Sequence, residues 1–590
     1  MRKSILLLSG MLMSMNVFAQ LTVSTTPENK KALLEEFTGI YCTFCPDGHL
    51  RAQTLKNTHG ANFWMVNVHV GGYAAPTAGD PDFRTPFGTA ISGQTGLTGY
   101  PAGTVNRKVF AGLGQAANAT AMGRGNWSNA TNQVLAQSAY ANIAVEAQVD
   151  DQTRQLRVIT KYHYTANGAA ANKLNVALLQ NNVEGPQTGM TANPTSVMVN
   201  GKYRHQHMLR HLLTGQWGVD VPSTTLGSTD TDTFYYTIPA SLNNIAYELG
   251  NLEVVAFIAE GQQEVINTSG ANVTVVNHAV ALDGGILQME AIDDVCPGSG
   301  SADPWVKIKN NGAAPLTSVG FTYSVNGGTP ATYTWTGNLA YSQVAYVSLP
   351  VLNFSSVASN TYNVAITTVN GSADPVATNN STSDAFNLAT ETTKSNITIK
   401  ITLDGWGGET SWTLKNSAGV TVSSNPTYTS LQNTSTNPQA DINLILPNDC
   451  YTFQINDSYG DGMCCTYGNG SYAVWADGVL IPGMTGAQFT SSDNKKFAVN
   501  ASATAVEEAV VNNLRMFPNP TSSEVNLNFE NTVDEAVIRV SDIQGRIVIS
   551  QNISNVNFHK MDVSQLANGL YTVTINADGK ITTEKLSVLK

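Results

Sequence analysis

The sequence predicts a multidomain, mainly β protein with one mixed α/β domain near its N-terminus. Three observations carry that prediction. The chain has 590 residues, more than one hydrophobic core serves, so several domains are expected. Only 13% of residues are charged while Gly numbers 50, and this turn-rich, weakly charged composition favours β-sandwiches over helical bundles. Continuous apolar runs before Tyr140 indicate strands buried on both faces, and from Tyr140 the pattern changes to period two. The net charge of −12 offers no long-range attraction to nucleic acid or anionic lipid and argues against a nucleic-acid partner.

Residues 1–19 read as a signal peptide: Arg2-Lys3, an apolar run from Ile5 to Phe18, and Ala19 before the break. No cysteine stands at that junction, so no lipoprotein anchor is expected. No later segment has the roughly 20 apolar residues that span a bilayer. The six cysteines are therefore read in an oxidising compartment. Within 21–138, Leu33–Phe37 and Phe63–Val70 are predicted strands, and Pro46–Lys56 a helix between them, as in a parallel crossover. In 140–282, Ile143, Val145, Ala147 and Val149 alternate, an Asp150-Asp151 turn follows, and Leu156 to Tyr162 alternate back as a hairpin. Val176–Leu179 and Leu252–Ile258 add strands to this sandwich. Residues 286–388 form a third module, with a strand entering the turn at Gly312 and another ending at Asn326-Gly327. Residues 394–500 form a strand-rich fourth module, 500–513 a polar linker, and 510–590 a small β-sandwich.

The chemistry concentrates in Glu36-Phe-Thr-Gly-Ile-Tyr-Cys42-Thr-Phe-Cys45-Pro46. A thiolate is the nucleophile in disulfide exchange, and a free cysteine with pKa about 8.5 is mostly protonated at neutral pH. Cys42 at a helix N-terminus gains stabilisation of its anion from unpaired N–H groups and the dipole. Cys45, one turn on, is placed to resolve a mixed disulfide, and Pro46 falls where the helix tolerates a missing donor. A structural disulfide and a zinc site are the competing readings. Zinc lacks a second cysteine pair, and His49, His59 and His69 are not at finger spacing.

These residues resemble a thioredoxin fold, and the run from Leu33 through Cys-x-x-Cys-Pro resembles the Omp28-related outer membrane proteins. The resemblance implies a buried acid, Glu36, as proton acceptor, and a cis-proline, Pro101 in Gly99-Tyr100-Pro101, opening a strand beside the disulfide. The chain departs from the pattern at Tyr100, where a small or β-branched residue is usual, and no Trp precedes Cys42. Met516-Phe-Pro518-Asn519-Pro520, Ser541-Asp542-Ile-Gln-Gly545-Arg546, Leu566-Ala-Asn-Gly569-Leu-Tyr571 and Lys585-Leu586 resemble the type A C-terminal sorting domain of the type IX secretion system. That likeness implies export by a Bacteroidetes-type bacterium, with the secretion machinery and its sortase as partners. Residues 286–388 loosely resemble an Ig-like domain of bacterial surface proteins.

Two further constellations stand out. In Tyr203-Arg-His205-Gln-His207, a strand puts both imidazoles on one face, as for two metal ligands. Asp457 and Asp461, with Asp404 and Glu409 of a related Gly-rich loop, offer oxygen ligands to calcium; the alternative is acidic turn chemistry. The first run lies in Cys450…Asp457-Ser-Tyr-Gly-Asp461-Gly-Met-Cys464-Cys465, which resembles a module of secreted Bacteroidetes proteins. Cys450 is expected to pair with Cys464 or Cys465, since adjacent cysteines rarely bridge. Cys296 then pairs with the remaining cysteine, or both stay free.

The expected protein is a secreted, cell-surface or extracellular one, with thiol–disulfide exchange at Cys42 and Cys45. Such chemistry needs no organic cofactor, only an extracytoplasmic thiol–disulfide partner. The alternative is a surface binding or adhesion protein whose Cys-x-x-Cys is a brace. No nucleophile elbow, zinc-protease helix or convincing carboxylate pair indicates a hydrolase.

Overall fold

A computed structural model describes residues 21–501 except 78, 466 and 490, then 514–577 and 580–590. The expected signal peptide and most of the 500–513 linker lie outside the described residues.

The N-terminal elements follow from the apolar runs. Strand β1 (Ala32–Thr38) is buried along its whole length and pairs in parallel with β2 (Phe63–His69), Ala32 opposite Phe63 and Thr38 opposite His69. Helix α1 (Cys45–His59) connects them. Asp47 in its first turn and Lys56 and His59 in its last complement the helix dipole. Gly60, with φ of 57°, ends it. On the other side of β1 lies β3 (Ala102–Val105), antiparallel, with Glu36 opposite Gly103. Strand β4 (Ala121–Gly123) pairs antiparallel with β3. One face of these strands packs Ala52 and Leu55 of α1 with Trp127, Ala130 and Val134 of a later helix, Trp127–Leu135. The opposite face packs Leu33, Phe37, Val66 and Val68.

The change of pattern at Tyr140 does not end this sheet. Strands β5 (Ala141–Asp150) and β6 (Gln155–Tyr164) form the expected hairpin. The next strand, β7 (Asn172–Gln180), is buried at all but one residue. Further on lie β8 (Val183–Gly185), β9 (Tyr203–His205), β10 (Met208–Leu212), β11 (Thr229–Thr237), β12 (Leu252–Glu260), β13 (Val265–Asn272) and β14 (Thr274–Val276). One continuous sheet runs β13-β12-β7-β10-β2-β1-β3-β4, so a boundary at 138–140 does not separate two sheets. Strand β7 explains the fusion. Its Leu174, Val176 and Leu178 enter the core shared with the second sheet, β11-β6-β5-β14. Its Ala177 and Leu179 face the other way, into the core that holds Leu33 and Val66. Period-two geometry thus lets one strand serve two cores.

Beyond 282 the chain is strands and turns. Residues 284–387 enclose a core around Val319, Phe321 and Tyr362, and 396–499 another around Trp412, Phe453 and Tyr472. The C-terminal strands, from Arg515–Phe517 to Lys580–Val588, form one bonded set of five around Val525, Ile538 and Val573. There the motif residues have local work. Asn519 clamps the last strand, accepting from Ser587 N at 2.8 Å, and Asp542 closes a turn by accepting from the backbone N–H groups of Gln544 and Arg546.

The cysteine pairing corrects the expectation for Cys450, which is bonded to Cys296, while Cys464 is bonded to its neighbour Cys465. Cys450 is the second residue of the strand Asp449–Asp457, at the opposite end from the loop that leads to Cys464. The Cys296–Cys450 bridge spans 154 residues and joins the third module to the fourth. Closing so long a loop removes much unfolded-chain entropy, so Cys296→Ser with Cys450→Ser is expected to cost about 2–5 kcal/mol. Lowered thermal and denaturant midpoints for the 396–499 module would read that loss.

Candidate functional site

Cys42 and Cys45 are disulfide-bonded with Cα atoms 5.4 Å apart. The helix begins at Cys45, so Cys42 sits in the preceding turn, its carbonyl accepting from Cys45 N at 3.1 Å. The helix thus starts one residue before the expected Pro46, which occupies the first helical turn, where a residue without N–H fits best. At Gly48, in the first turn of α1, the chain is packed tightly. A Cβ on Gly48 would lie 2.8 Å from Glu36 Oε1, 3.2 Å from Pro101 Cβ and 3.3 Å from the Trp127 ring. Only glycine lets α1 approach Glu36 and Pro101 this closely. The Tyr100–Pro101 peptide is cis.

Two adjacent glutamates of β1 point to opposite faces and meet opposite fates. Glu35 is buried but receives both fork nitrogens of Arg107, at 2.6 and 2.8 Å, a bidentate pair. Glu36 is fully buried, and neither of its oxygens has a hydrogen-bond partner. His49 Nε2 stands 3.8 Å from Oε1. Burial pushes the Glu36 carboxyl well above its usual range, which favours its neutral, protonated form.

The disulfide is covered. Cys42 is 3% exposed and Cys45 not at all. Gln187 Nε2 donates to Cys42 O at 3.0 Å and Gly39 O at 3.2 Å, and Thr188 N donates to Ile40 O at 2.8 Å. From the fourth module, the Tyr459 hydroxyl meets Thr43 Oγ1 at 2.9 Å. Sequence reading missed Gln187 and Tyr459, which carry no local motif for this contact, and it weighed His49 only as a zinc ligand.

The histidine pair departs from expectation. His205 ends β9, its ring against those of His69 and Phe83. His207 has φ of 50° in the turn that follows and binds Glu253 at 2.7 Å. The left-handed residue turns the chain, so the two imidazoles share no face.

In the fourth module Glu409, Asp457 and Asp461 come within 4.8 Å of one another through carboxylate oxygens. Burial first, then the neighbouring carboxylates of Asp457, Asp461 and Asp404, lifts Glu409 to about 7. Asp461 is lifted to about 6 by burial and by Asp457 and Asp404, and Asp404 is also raised, by burial first. Asp457 Oδ1 is already engaged by Tyr459 N and Gly460 N. Mutual repulsion of this kind is what a cation would relieve.

Residues 89–277 match the family of outer membrane protein Omp28, and residues 515–589 match the secretion system C-terminal sorting domain. The chain carries an Omp28 domain and a sorting tail. It is a type IX-secreted protein, extracellular or attached to the outer-membrane surface. No helix among the described residues is long and apolar enough to cross a membrane. Comparison with curated proteins found no match. Among solved structures, HBP35 of Porphyromonas gingivalis is 15% identical, covering 62% of this chain and 99% of its own, with a TM-score of 0.33. A tetra-tandem repeat from the extending region of a large adhesion protein is 12% identical, covering 76% and 99%, with a TM-score of 0.16. A biofilm associated protein's BSP domain is 10% identical, covering 76% and 96%, with a TM-score of 0.11.

Glu36 makes stability pH-dependent. Its folded pKa lies above the unfolded value of 4.5, so the folded state holds the proton more tightly. Its contribution is full below pH 4.5 and is lost as pH rises through the folded value. Glu36→Gln removes that slope, and is expected to stabilise the N-terminal unit by about 1 kcal/mol at alkaline pH. Thermal midpoints of both proteins across the acid-to-alkaline range check this.

Proposed function

We propose that this surface protein exchanges thiols and disulfides through Cys42 and Cys45, on a thioredoxin-like unit within residues 21–138. One observation carries the reading: an unpaired carboxyl, Glu36, buried in the packing that also holds the cis-proline Pro101 and the first turn of α1. A buried acid without a partner is costly, and a disulfide that only braces a fold has no use for one. Such groups cluster where protons move.

In this reading Cys42 is the sulfur attacked by, or attacking, a partner sulfur. Cys45 resolves the mixed disulfide, Glu36 exchanges a proton with Cys45, and Pro101 shapes the groove for an extended chain. An extracytoplasmic dithiol or disulfide resets the pair. A signal peptide and the sortase of a Bacteroidetes-type cell complete the route to the surface. The cover formed by Gln187 and Tyr459 has to move for exchange to occur.

The burial of both cysteines favours a second reading, an inert brace in a binding or adhesion scaffold. Graded dithiothreitol on the folded full chain, with alkylation of released thiols, separates the two. Exchange predicts that Cys42 becomes alkylated below the unfolding transition, several-fold faster in Tyr459→Phe, and that Cys42→Ser abolishes turnover of a disulfide substrate. A pair that opens only on unfolding establishes the brace.

We also propose that Glu409, Asp457, Asp461 and Asp404 hold calcium, which takes six to eight oxygens and so would draw on carbonyls or water as well. Calcium is expected to raise the thermal midpoint of the 396–499 module near neutral pH, and Asp461→Asn to abolish the rise. An unchanged midpoint at millimolar calcium leaves the acidic turn reading.

A further inference from the structure

The carboxyl of Glu36 has no contact with water of its own, so any proton it gives to a sulfur must be replaced through a neighbour. His49 lies beside it on α1, with Nε2 3.8 Å from Glu36 Oε1 and 3.0 Å from Thr38 Oγ1. The other nitrogen, Nδ1, meets the Tyr203 hydroxyl at 2.9 Å. That hydroxyl accepts from Asn193 Nδ2 at 2.9 Å and has its own proton to give to His49 Nδ1. In the tautomer that takes this bond, the imidazole hydrogen sits on Nε2, facing Thr38 and Glu36. With its side chain 10% exposed, His49 also lines a narrow surface cleft of about 50 Å³ together with Asn193, Tyr203 and Gln206. The ring thus reaches from a sealed acid to the solvent side.

We propose that His49 is a proton-transfer partner of Glu36, reloading the buried carboxyl from this cleft, with Tyr203 fixing its tautomer. The inference rests on the thiol–disulfide reading. An external thiolate attacks Cys42 Sγ, forming a mixed disulfide as the Cys42–Cys45 bond breaks. Cys45 Sγ leaves as a thiolate and takes the Glu36 proton. A small rotation of the ring brings Nε2–H to the carboxylate, Nδ1 takes the Tyr203 proton, and water in the cleft restores the hydroxyl. Reoxidation runs the same protons outward.

The charges around His49 suit the task. Glu36 faces it from β1, Tyr203 and His205 from β9, and His69 lies close on β2. Arg204 adds its charge near Tyr203. Burial, then His205, holds His49 down at about 3, and burial raises the Glu36 carboxyl well above its usual range. Both shifts favour the uncharged forms, so a proton can cross the pair without leaving a fixed ion pair behind.

The test is the rate of opening of the Cys42–Cys45 bond by dithiothreitol in the folded full-length protein, divided by dithiothreitol thiolate concentration and followed across pH. His49→Gln is expected to slow opening and reclosing alike by about 100-fold, the lower range for a positioned proton-transfer group. The loss should deepen with rising pH, leave the midpoint potential unchanged, and vanish in a Glu36→Gln background. Tyr203→Phe should give a smaller loss of the same kind, and decides the matter if His49→Gln does not fold. A His49→Gln rate and pH profile equal to those of the wild type overturns the relay alone. A loss that persists undiminished with Glu36→Gln also overturns it, since that marks a purely structural role. A wild-type disulfide closed to dithiothreitol until unfolding overturns the relay and the thiol–disulfide reading together.

Discussion

The double burial of one strand organises the first half of this molecule. Asn172–Gln180 sends alternate side chains into two cores, one shared with the hairpin of residues 141–164 and one shared with the strands that precede the cysteine pair. Main-chain bonding therefore runs unbroken from the Omp28 match into the Cys-x-x-Cys unit. A strand buried on both faces cannot be peeled off without exposing two apolar surfaces, each worth about 25 cal/mol per Å². The segments beyond that strand, 185–190 and 203–207, are consequently held against the turn of Cys42 and against His49. The site is made of chain far apart in sequence because the sheet has no seam between them.

That arrangement leaves the interior with two acids treated in contrasting ways. Glu35 has the Arg107 fork as its bidentate partner in a dry setting. Glu36, one residue on and on the opposite face, has no such partner, and burial raises its carboxyl well above the usual range. Alternation along a strand is what separates these outcomes: neighbours in sequence live on opposite faces. The same logic accounts for Gly48, whose missing side chain is the space in which the Glu36 carboxyl, Pro101 and Trp127 meet.

Much of this was legible in sequence, and the limits have a common cause. The parallel strands, the helix between them, the cysteine pair, Glu36 and the Tyr100–Pro101 step all lie in local patterns or in short motifs with a family likeness. Glu409, Asp457 and Asp461 of the fourth module, whose carboxylates come within 4.8 Å of one another, also lie in acidic, glycine-rich loops that stand out in the sequence. What was not legible depends on contacts between distant segments. Gln187 and Tyr459 reach the cysteine turn across 145 and 416 residues, and no spacing rule encodes them. The pairing of Cys450 with Cys296 has the same origin, and adjacency steered the reading away from Cys464–Cys465. The switch to alternation at Tyr140 marked a change in how strands are buried, and such a change need not coincide with the end of a sheet.

The cover over the disulfide bears on what the later modules are for. A passive stalk would have no reason to return to the N-terminal unit, yet the fourth module lays Tyr459 on Thr43, between the two cysteines. Its position is constrained from behind by the Cys296–Cys450 bridge to the third module, which in turn bonds the Omp28 region through Lys307 and Tyr346 to Glu184. Of these, the exposed hydroxyl pair contributes little to stability by itself, and the bridge contributes most. Acting in series they fix where the loop of residues 457–461 can go. Access to Cys42 is then a property of the assembled chain and of the few bonds that hold one loop in place. An isolated N-terminal fragment would lack the cover and half its sheet.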